Sequence, residues 1–453
     1  MLHHRETATF AFPYIYSMKV TNTRNPGEAF SFLHALESGL ASDRGLFEPK
    51  DFPIQDQGFF ENLIGLPFPE MAFRLLRVLL EDEIPAAELK AICYDAFSFP
   101  VPLRELQPHI HILELFHGPS LAFKDFGARF MARVLANQRK TPFKPLQVLV
   151  ATSGDTGGAV AMGFHQVPGI TVTILFPKGR VTALQEMQLT RLGGNVRAIE
   201  VEGSFDDCQE LVKMAFWDTE LKERLGLTSA NSINLGRLIP QMLYYVQAWT
   251  VLQQKHPGRK LVFSVPSGNF GNICAAAYAW KMGLPVHRLV ASVNSNAVFP
   301  DYLETGQYVA KPSLPTISNA MDVGNPSNFE RILSLMGSHE NMQRLFSSWS
   351  FSDARTENAI MEIYNRFQYI SEPHAAIAFL GLKTYLETNP DPDIEGVFLG
   401  TAHPSKFLPV LPLAIQSLVE IPEGLKKLQE LKPVSLAMKP DFKIFRNFLL
   451  QQS

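Results

Sequence analysis

Short apolar runs alternate with longer helical patterns along most of this 453-residue chain. The helical candidates include residues 182–192, 205–217 and 237–253. The runs that read as β-strands are 110–116, 146–151, 171–176, 196–201, 261–265, 288–293 and 397–401. Strands that alternate with helices form parallel sheets covered by helices on both faces. The alternation therefore predicts an α/β fold built from doubly wound sheets.

The chain is long enough for several domains. Its hydrophobic share of 46% and charged share of 19% allow it to bury more than one core. A first unit rich in Phe, Leu and Pro precedes two α/β units of ordinary domain size. The predicted ranges are an extension of uncertain status at 1–17, an amino-terminal domain at 18–110, a large α/β domain at 111–150 and 225–453, and a smaller α/β domain at 151–224.

One lysine, Lys124, stands at the start of a predicted helix that continues through residues 128–135. The first turn of a helix carries partial positive charge, so an ammonium group there is favoured to give up its proton. A neutral lysine is a nucleophile that condenses with aldehydes, and Asp125 beside it is the expected N-cap. The alternative is a solvated lysine whose stem packs on Phe123 and Phe126.

Two turns rich in Gly, Ser and Asn each join an apolar strand to a helix. The first is ATSGDTGG at 151–158, and the second is PSGNFGN at 266–272. Glycine lets the backbone approach an anion closely, and the amides of the following helix then face it. Either turn alone is also consistent with an ordinary strand-to-helix connection. Neither has the spacing of a Walker motif or a dinucleotide-binding fingerprint.

A hydroxyl residue ends the last strand candidate. Thr401 follows the apolar run 396–400, and Pro404 disfavours a helical conformation at residue 403. Strand ends are where α/β sheets present ligand-binding groups, so Thr401 is a candidate site residue. A threonine at this position is otherwise explained by the preference of β-branched residues for strands.

Taken in this order, these segments resemble the threonine synthases, which are pyridoxal-phosphate enzymes of fold type II, the tryptophan synthase β-subunit type. HGPSLAFKDFGARFM is similar to the cofactor-lysine segment of that family, ATSGDTGGAVA to its substrate loop and PSGNFGN to its cofactor-phosphate loop. TSANSINLGRLIPQ, SEPHAA and FLGTAHPSKF also resemble family segments. The resemblance extends from about residue 18 to about residue 407. It implies a smaller, mobile domain that closes over a large cofactor-binding domain.

The resemblance implies pyridoxal 5'-phosphate as cofactor and gives roles to the residues around it. Lys124 would be the catalytic residue, bonding covalently to the cofactor aldehyde and then moving protons. Asp155 would lie near the cofactor 3'-oxygen, and Thr401 would hydrogen-bond to its ring nitrogen. The cofactor phosphate would be held by main-chain amides of the second turn, namely those of Gly268, Asn269, Phe270, Gly271 and Asn272.

Substrate contacts follow from the same resemblance. Ser153 and Thr156 would lie near anionic groups of the substrate, while Asn231, Ser232 and Arg237 match a pattern that binds the substrate phosphate. The alternative for the second group is a helix start, capped by Ser232 or Asn234, with Arg237 exposed.

Two positions depart from the pattern of bacterial members. Ser-Asp-Arg-Gly stands at 42–45, and Asn272 stands where aspartate often occurs.

The implied reaction converts O-phospho-L-homoserine and water into L-threonine and phosphate, the last step of threonine biosynthesis. Two alternatives share the fold. One is a pyridoxal-phosphate-dependent dehydratase or phospholyase acting on a related amino acid or phosphorylated amine, which would not need Asn231, Ser232 and Arg237 in this arrangement. The other is a non-catalytic ligand sensor, and the presence of Lys124 in its motif argues against it.

Charge and cysteine content exclude several other classes. A net charge of −3 gives no electrostatic footprint for nucleic acid or an anionic membrane. The apolar run 10–16 is far too short to span a bilayer. Three widely spaced cysteines without Cys-x-x-Cys favour a reducing cytoplasm. His117, His374 and His403 stand singly in the sequence, so we expect no metal site. We expect a cytoplasmic monomer or homodimer whose partner is a small-molecule substrate.

Overall fold

The computed structural model describes residues 18–139 and 146–451, so the predicted extension at 1–17 lies outside the described residues. Within this part of the chain the predicted α/β class is confirmed, because helices cover two largely parallel sheets. The strands are β1 (Val20–Asn22), β2 (Phe47–Pro49), β3 (Leu103–Gln107), β4 (Ile110–Glu114), β5 (Leu146–Ala151), β6 (Ile170–Pro177), β7 (Val196–Val201), β8 (Leu227–Ser229), β9 (Lys260–Pro266), β10 (Arg288–Val293), β11 (Phe346–Ser350), β12 (Ile394–Gly400) and β13 (Ser435–Met438).

Helices connect these strands, and short 3-10 turns occur at Ile239–Gln241, Asn319–Met321 and Pro404–Val410. The α-helices are α1 (Phe32–Ser38), α2 (Gln57–Glu61), α3 (Phe68–Leu80), α4 (Ala86–Ala96), α5 (Lys124–Gln138), α6 (Asp155–Phe164), α7 (Ala183–Thr190), α8 (Phe205–Trp217), α9 (Thr219–Leu225), α10 (Leu235–Leu238), α11 (Met242–Lys255), α12 (Gly271–Lys281), α13 (Val298–Thr305), α14 (Phe329–Met336), α15 (His339–Leu345), α16 (Asp353–Phe367), α17 (Pro373–Thr388), α18 (Leu413–Gln416), α19 (Glu423–Gln429) and α20 (Phe442–Leu450).

One sheet has six strands in the order β11-β10-β9-β12-β4-β3, and every neighbouring pair is parallel except β3 with β4. A second sheet has five parallel strands in the order β13-β7-β6-β5-β8, and β1 pairs with β2 in a small antiparallel sheet. Parallel strands require crossover connections, which is why helices separate almost all of them along the chain. The carboxyl ends of the parallel strands of each sheet therefore lie at one edge, where their loops can meet.

The predicted domain ranges stay a prediction, but the strands that share one sheet do not all fall within one predicted range. The smaller domain was expected at 151–224, but its sheet also contains β5, β8 and the carboxy-terminal strand β13. β13 pairs with β7 from more than two hundred residues away, as in Leu436 opposite Ile199. A pairing between segments so distant in sequence leaves no local pattern from which it could be predicted.

One predicted helix, at 237–253, is broken into three pieces. The chain forms α10, then the 3-10 turn Ile239–Gln241, then α11. Pro240 causes the break because it has no N–H to donate and its ring clashes with the preceding turn of an α-helix. The predicted helix 205–217 is confirmed as α8 with the same bounds.

The amino-terminal elements share a hydrophobic core with both sheets. Phe126, in the first turn of α5, is fully buried and lies against the rings of Phe68, Phe97, Phe99 and Tyr244. Burying a phenylalanine in this way contributes about 1.5–3 kcal/mol. The start of α5 is thus fixed on one side by the amino-terminal elements and on the other by α11.

We predict that Gly127→Ala destabilises the fold by about 1–3 kcal/mol, because it overpacks the contact between α5 and α10. A β-carbon at Gly127 would lie 2.5 Å from the carbonyl oxygen of Arg237, which is backbone and cannot rotate away. Urea unfolding of the purified variant measures the change. The matched control is Gly424→Ala in α19, where no atom lies within 4 Å of the added carbon. An equal effect of the two substitutions would contradict the close approach of the helices.

Candidate active site

Loops that follow the carboxyl ends of five strands carry the predicted site residues. β4 leads into the segment before α5, β5 into the loop 151–158, and β9 into the loop 266–272. β8 leads into residues 231–237, and β12 ends at Gly400, directly before Thr401. The predicted site residues therefore come from segments far apart in sequence whose positions are set by the two sheets.

Lys124 is the first residue of α5, and its neighbours are held by long-range hydrogen bonds. The Phe123 N–H donates to the carbonyl oxygen of Thr401 at 2.8 Å, and the Tyr244 hydroxyl donates to the carbonyl oxygen of Phe123 at 2.8 Å. An isolated bridge between Ala122 and Ala402 continues this pairing. The strand end at Thr401 and the helix start at Lys124 are therefore connected directly through the backbone.

The electrostatic environment favours a neutral Lys124. Burial lowers the pKa of its amine to about 8, Asp155 acts in the opposite direction, and the positive charges of Lys406 and Arg237 lower it further. Its Nζ lies 5.6 Å from the centre of the Phe123 ring. The direction agrees with the sequence prediction, although burial, rather than the field of the helix, is the largest cause.

The prediction that Asp125 caps α5 is wrong. The N-cap position lies two residues earlier, at Phe123, which makes no side-chain hydrogen bond there, and the helix begins at Lys124. Asp125 is instead buried in the first turn, where its Oδ2 accepts a hydrogen bond from the Ser120 N–H at 2.9 Å. Burial raises the pKa of Asp125 to about 6.

The loop 151–158 is organised by Thr152, whose role the sequence did not reveal. Its hydroxyl accepts hydrogen bonds from the N–H groups of Gly154 at 3.0 Å and Gly157 at 2.9 Å. Gly154 has φ 144°, and a β-carbon there would collide with Gln185. The conformation therefore requires glycine. It directs Asp155 inward, whereas Ser153 is exposed and Thr156 is partly exposed.

Asp155 is buried between a glutamine and a second lysine. Its Oδ1 accepts hydrogen bonds from Gln185 Nε2 at 3.0 Å and from Lys406 Nζ at 2.8 Å. Burial opposes the charged carboxylate, yet Lys406 and Lys124 together hold the pKa of Asp155 well below its usual range. Asp155 is therefore a carboxylate at neutral pH.

The loop 266–272 and the segment 231–237 lie in direct contact. Asn269 Nδ2 donates to the Ser232 hydroxyl oxygen, and Asn328 Nδ2 donates to the carbonyl oxygen of Asn269 at 3.0 Å. Phe270 has φ 60°, which turns the chain just before α12 begins at Gly271. Two segments predicted to bind two different phosphates thus lie side by side.

The alternative interpretation of 231–237 as a simple helix start is half correct. Asn234 does cap α10, accepting a hydrogen bond from the Gly236 N–H at 2.8 Å. Arg237, however, is 3% exposed rather than solvated. Its guanidinium donates to the carbonyl oxygen of Ala230 through Nη1, while its Nε has no hydrogen-bond partner within the described chain.

Several buried polar atoms around this centre have no hydrogen-bond partner in the part of the chain that the structure describes. Buried polar groups are almost always paired in proteins, so such a group of atoms indicates a bound polar ligand. They include Ser120 Oγ, Asp125 Oδ1, Gln188 Oε1, Asn231 Oδ1, Arg237 Nε, Asn272 Nδ2 and Ser371 Oγ. A phosphorylated cofactor with a heteroaromatic ring and an aldehyde fits these atoms together with the amine of Lys124 and the amides of the loop 266–272.

Comparison with known proteins identifies the family of this chain. Residues 98–394 match the family model described as "Pyridoxal-phosphate dependent enzyme", and residues 19–97 match "Threonine synthase N terminus". The threonine synthase of Haemophilus influenzae is 42% identical over 96% of this chain and 100% of its own length. The chain belongs to the threonine synthase family. Its cofactor is pyridoxal 5'-phosphate.

Solved structures of the same family have the same fold. The threonine synthase of Escherichia coli superimposes with a TM-score of 0.87 at 39% identity, covering 96% of this chain and 100% of that one. The structure from Brucella melitensis, described as threonine synthase with bound PLP, gives a TM-score of 0.89 at 34% identity over 96% of this chain and 100% of that one.

Two buried cations of this family member were missed by the sequence reasoning. One is Lys406, which is 0% exposed. The other is Arg331 in α14, also 0% exposed, which donates to the carbonyl oxygens of Phe47 and Ile233 and to Asn328 Oδ1, each at 2.6 Å. Arg331 stands in an amphipathic helix and Lys406 in a short 3-10 turn, and neither local pattern predicts the burial of a cation. Only the presence of Lys406 near Thr401, within a segment that resembles the family, pointed toward the site.

We predict that Thr152→Val weakens the loop 151–158 and costs about 1–3 kcal/mol, because two buried N–H groups lose their acceptor. Hydrogen exchange at the amides of Gly154 and Gly157 measures the local effect, and urea unfolding measures the global one. Thr152→Ser is the matched control, since it keeps the hydroxyl and removes only a methyl group. Unchanged protection of both amides in the valine variant would show that Thr152 does not organise the loop.

Proposed function

We propose that this chain converts O-phospho-L-homoserine and water into L-threonine and inorganic phosphate. The observation that carries the proposal is the contact between Asn269 and Ser232. It joins a loop suited to the cofactor phosphate to a segment suited to a second phosphate. A substrate that is itself a phosphate ester requires two such adjacent sites, whereas a dehydratase of an unphosphorylated amino acid requires one.

Arg237 is the side chain best suited to the second phosphate. Its planar guanidinium can meet two phosphate oxygens at once. Burial lowers the pKa of Arg237 to about 10, which leaves it positively charged at neutral pH. The hydroxyl of Ser232, which accepts from Asn269 and can still donate, and the amide of Asn231 would supply further hydrogen bonds. Ser153 and Thr156 would contact the other anionic groups of the substrate.

Lys124 would hold the cofactor covalently and, once substrate replaces it, would move protons. The bound cofactor supplies an electron-withdrawing ring that stabilises negative charge on the carbon next to the substrate amine. The reaction removes protons from two adjacent carbons and returns protons at two positions. An amine with a pKa of about 8 can both take and return protons near neutral pH. Its flexible stem can reach each of the adjacent carbons.

The remaining cofactor contacts follow from the loops. The amides of Gly268, Asn269, Phe270, Gly271 and Asn272 would hold the cofactor phosphate at the start of α12. Thr401 would face the ring nitrogen with a neutral hydroxyl, which leaves that nitrogen less strongly protonated than a carboxylate would. Asp155 would lie near the 3'-oxygen.

Location and assembly stay predictions. Among the described helices none is long and apolar enough to cross a bilayer. We propose a cytoplasmic monomer or homodimer that binds neither nucleic acid nor membrane, on the grounds of charge and cysteine content.

We predict that Lys124→Ala abolishes threonine formation, with a loss of more than about 10³-fold, because it removes both the covalent attachment and the proton carrier. Amino-acid analysis and phosphate release measure turnover, and visible absorption measures cofactor attachment. The matched control is Lys178→Ala, an exposed lysine outside the site. If the wild-type chain formed 2-oxobutanoate and no threonine from O-phospho-L-homoserine, the dehydratase or phospholyase alternative would replace the proposal.

We predict that Arg237→Lys raises KM for O-phospho-L-homoserine by about 10- to 100-fold and lowers kcat less. The guanidinium can make two charge-assisted hydrogen bonds to the phosphate, worth about 1.5–3 kcal/mol, whereas the ammonium of lysine makes a single contact. Steady-state kinetics at fixed pH measures both constants. Arg344→Lys, at an exposed residue paired with Glu340, is the control. A KM that stays unchanged in the Arg237 variant would mean that the phosphate binds elsewhere.

A further inference from the structure

Lys406 is a fully buried lysine on the 3-10 turn Pro404–Val410 that follows Thr401. Its Nζ lies 2.8 Å from Asp155 Oδ1 and donates a hydrogen bond to the carbonyl oxygen of Ser120 at 2.8 Å. The same carbonyl oxygen accepts a hydrogen bond from Gln188 Nε2 at 2.9 Å. Lys406 therefore joins the loop 151–158, the segment before α5 and the end of β12 at one point.

The groups that face Lys124 carry both signs of charge. Asp155 and Glu372 are negative, while Lys406 and Arg237 are positive. Glu372 is already occupied as the N-cap of α17, where its carboxylate accepts hydrogen bonds from the N–H groups of His374 and Ala375. Asp125, adjacent in sequence, accepts from the Ser120 N–H.

Asp155 is therefore the carboxylate for which two lysines compete. A buried carboxylate needs a paired cation, because an uncompensated charge in a low-dielectric site is costly. If Lys124 were that cation, its ammonium form would be stabilised and its amine would be a poor nucleophile. In the structure the direct partner is Lys406, and the side-chain amine of Lys124 makes no hydrogen bond or ion pair with any described residue.

We propose that Lys406 is a positioning residue that occupies Asp155 in a permanent ion pair and so leaves Lys124 available as a free amine. The proposal rests on the proposed function in one respect, that Lys124 is the reactive amine. The same ion pair explains how the carboxylate of Asp155 can lie beside the expected position of the cofactor 3'-oxygen. With Lys406 attached, the Asp155 pair is neutral and does not repel an anionic oxygen there.

The test measures the reactivity of Lys124 in the full-length chain after removal of the cofactor. Competitive labelling with acetic anhydride between pH 6 and 11, followed by mass spectrometry of the Lys124 peptide, gives the pKa of this amine. The wild-type chain should titrate at about 8. Lys406→Met should raise the pKa of Lys124 by one unit or more, which makes its labelling at pH 7 about ten-fold slower.

Two further variants separate charge from packing. Lys406→Arg keeps the positive charge, so it should label like the wild type or shift far less than the methionine variant. The double variant Lys406→Met with Asp155→Asn removes both charges of the pair and should return the labelling rate toward the wild-type value. The matched control is Lys383→Met, which breaks an ion pair with Glu362 between α16 and α17 and should leave Lys124 unchanged.

An unchanged titration of Lys124 in folded Lys406→Met would overturn the proposal, as would equal shifts in the arginine and methionine variants. If circular dichroism shows that Lys406→Met does not fold, the double variant decides. Slow labelling of Lys124 in that variant would also contradict a role for the charge of Lys406. The experiment involves no substrate. A chain that labels as expected but makes no threonine would refute the proposed reaction and leave the role of Lys406 standing.

Discussion

The buried ion pair between Asp155 and Lys406 is the interaction on which the centre of this molecule depends. Asp155 begins α6 after a strand of the five-stranded sheet, and Lys406 follows a strand of the six-stranded sheet. Breaking such a pair from one side costs about 3–5 kcal/mol, because the remaining charge is left without a partner. The pair thus holds the loops of both sheets around Lys124 while it keeps Asp155 ionised.

Arg331 has a comparable role on the other side of the site. Its guanidinium is directed at backbone carbonyl oxygens of β2 and of the segment 231–237, and at the side chain of Asn328. Asn328 in turn holds the backbone of Asn269. The amino-terminal strands are therefore coupled through one buried cation to both segments that we propose bind phosphate.

The features that could be predicted from the sequence are those with a local cause. Strand, glycine-rich turn and helix follow one another along the chain, so the loops at 151–158 and 266–272 and the helix start near Lys124 were found. The contacts that complete the site are not local: Lys406 meets Asp155, and Ser232 meets Asn269, across two sheets. The N-cap of α5 was placed two residues too late, at Asp125 instead of Phe123, since the hydrogen bond from Ser120 that holds Asp125 inward cannot be read from an N-cap pattern.

The lowered pKa of Lys124 is better explained by burial than by its place in the helix. A fall from 10.5 to about 8 corresponds to about 3 kcal/mol. The field of a helix end contributes about 0.3–1 kcal/mol at exposed positions, which is too little by itself. Burial accounts for the larger part of the fall in the pKa of Lys124. It can do so only while another cation compensates Asp155, because an unpaired Asp155 would stabilise the ammonium form of Lys124. The position of Lys124 at the start of α5 sets where the amine points, and the surrounding protein sets whether it is charged.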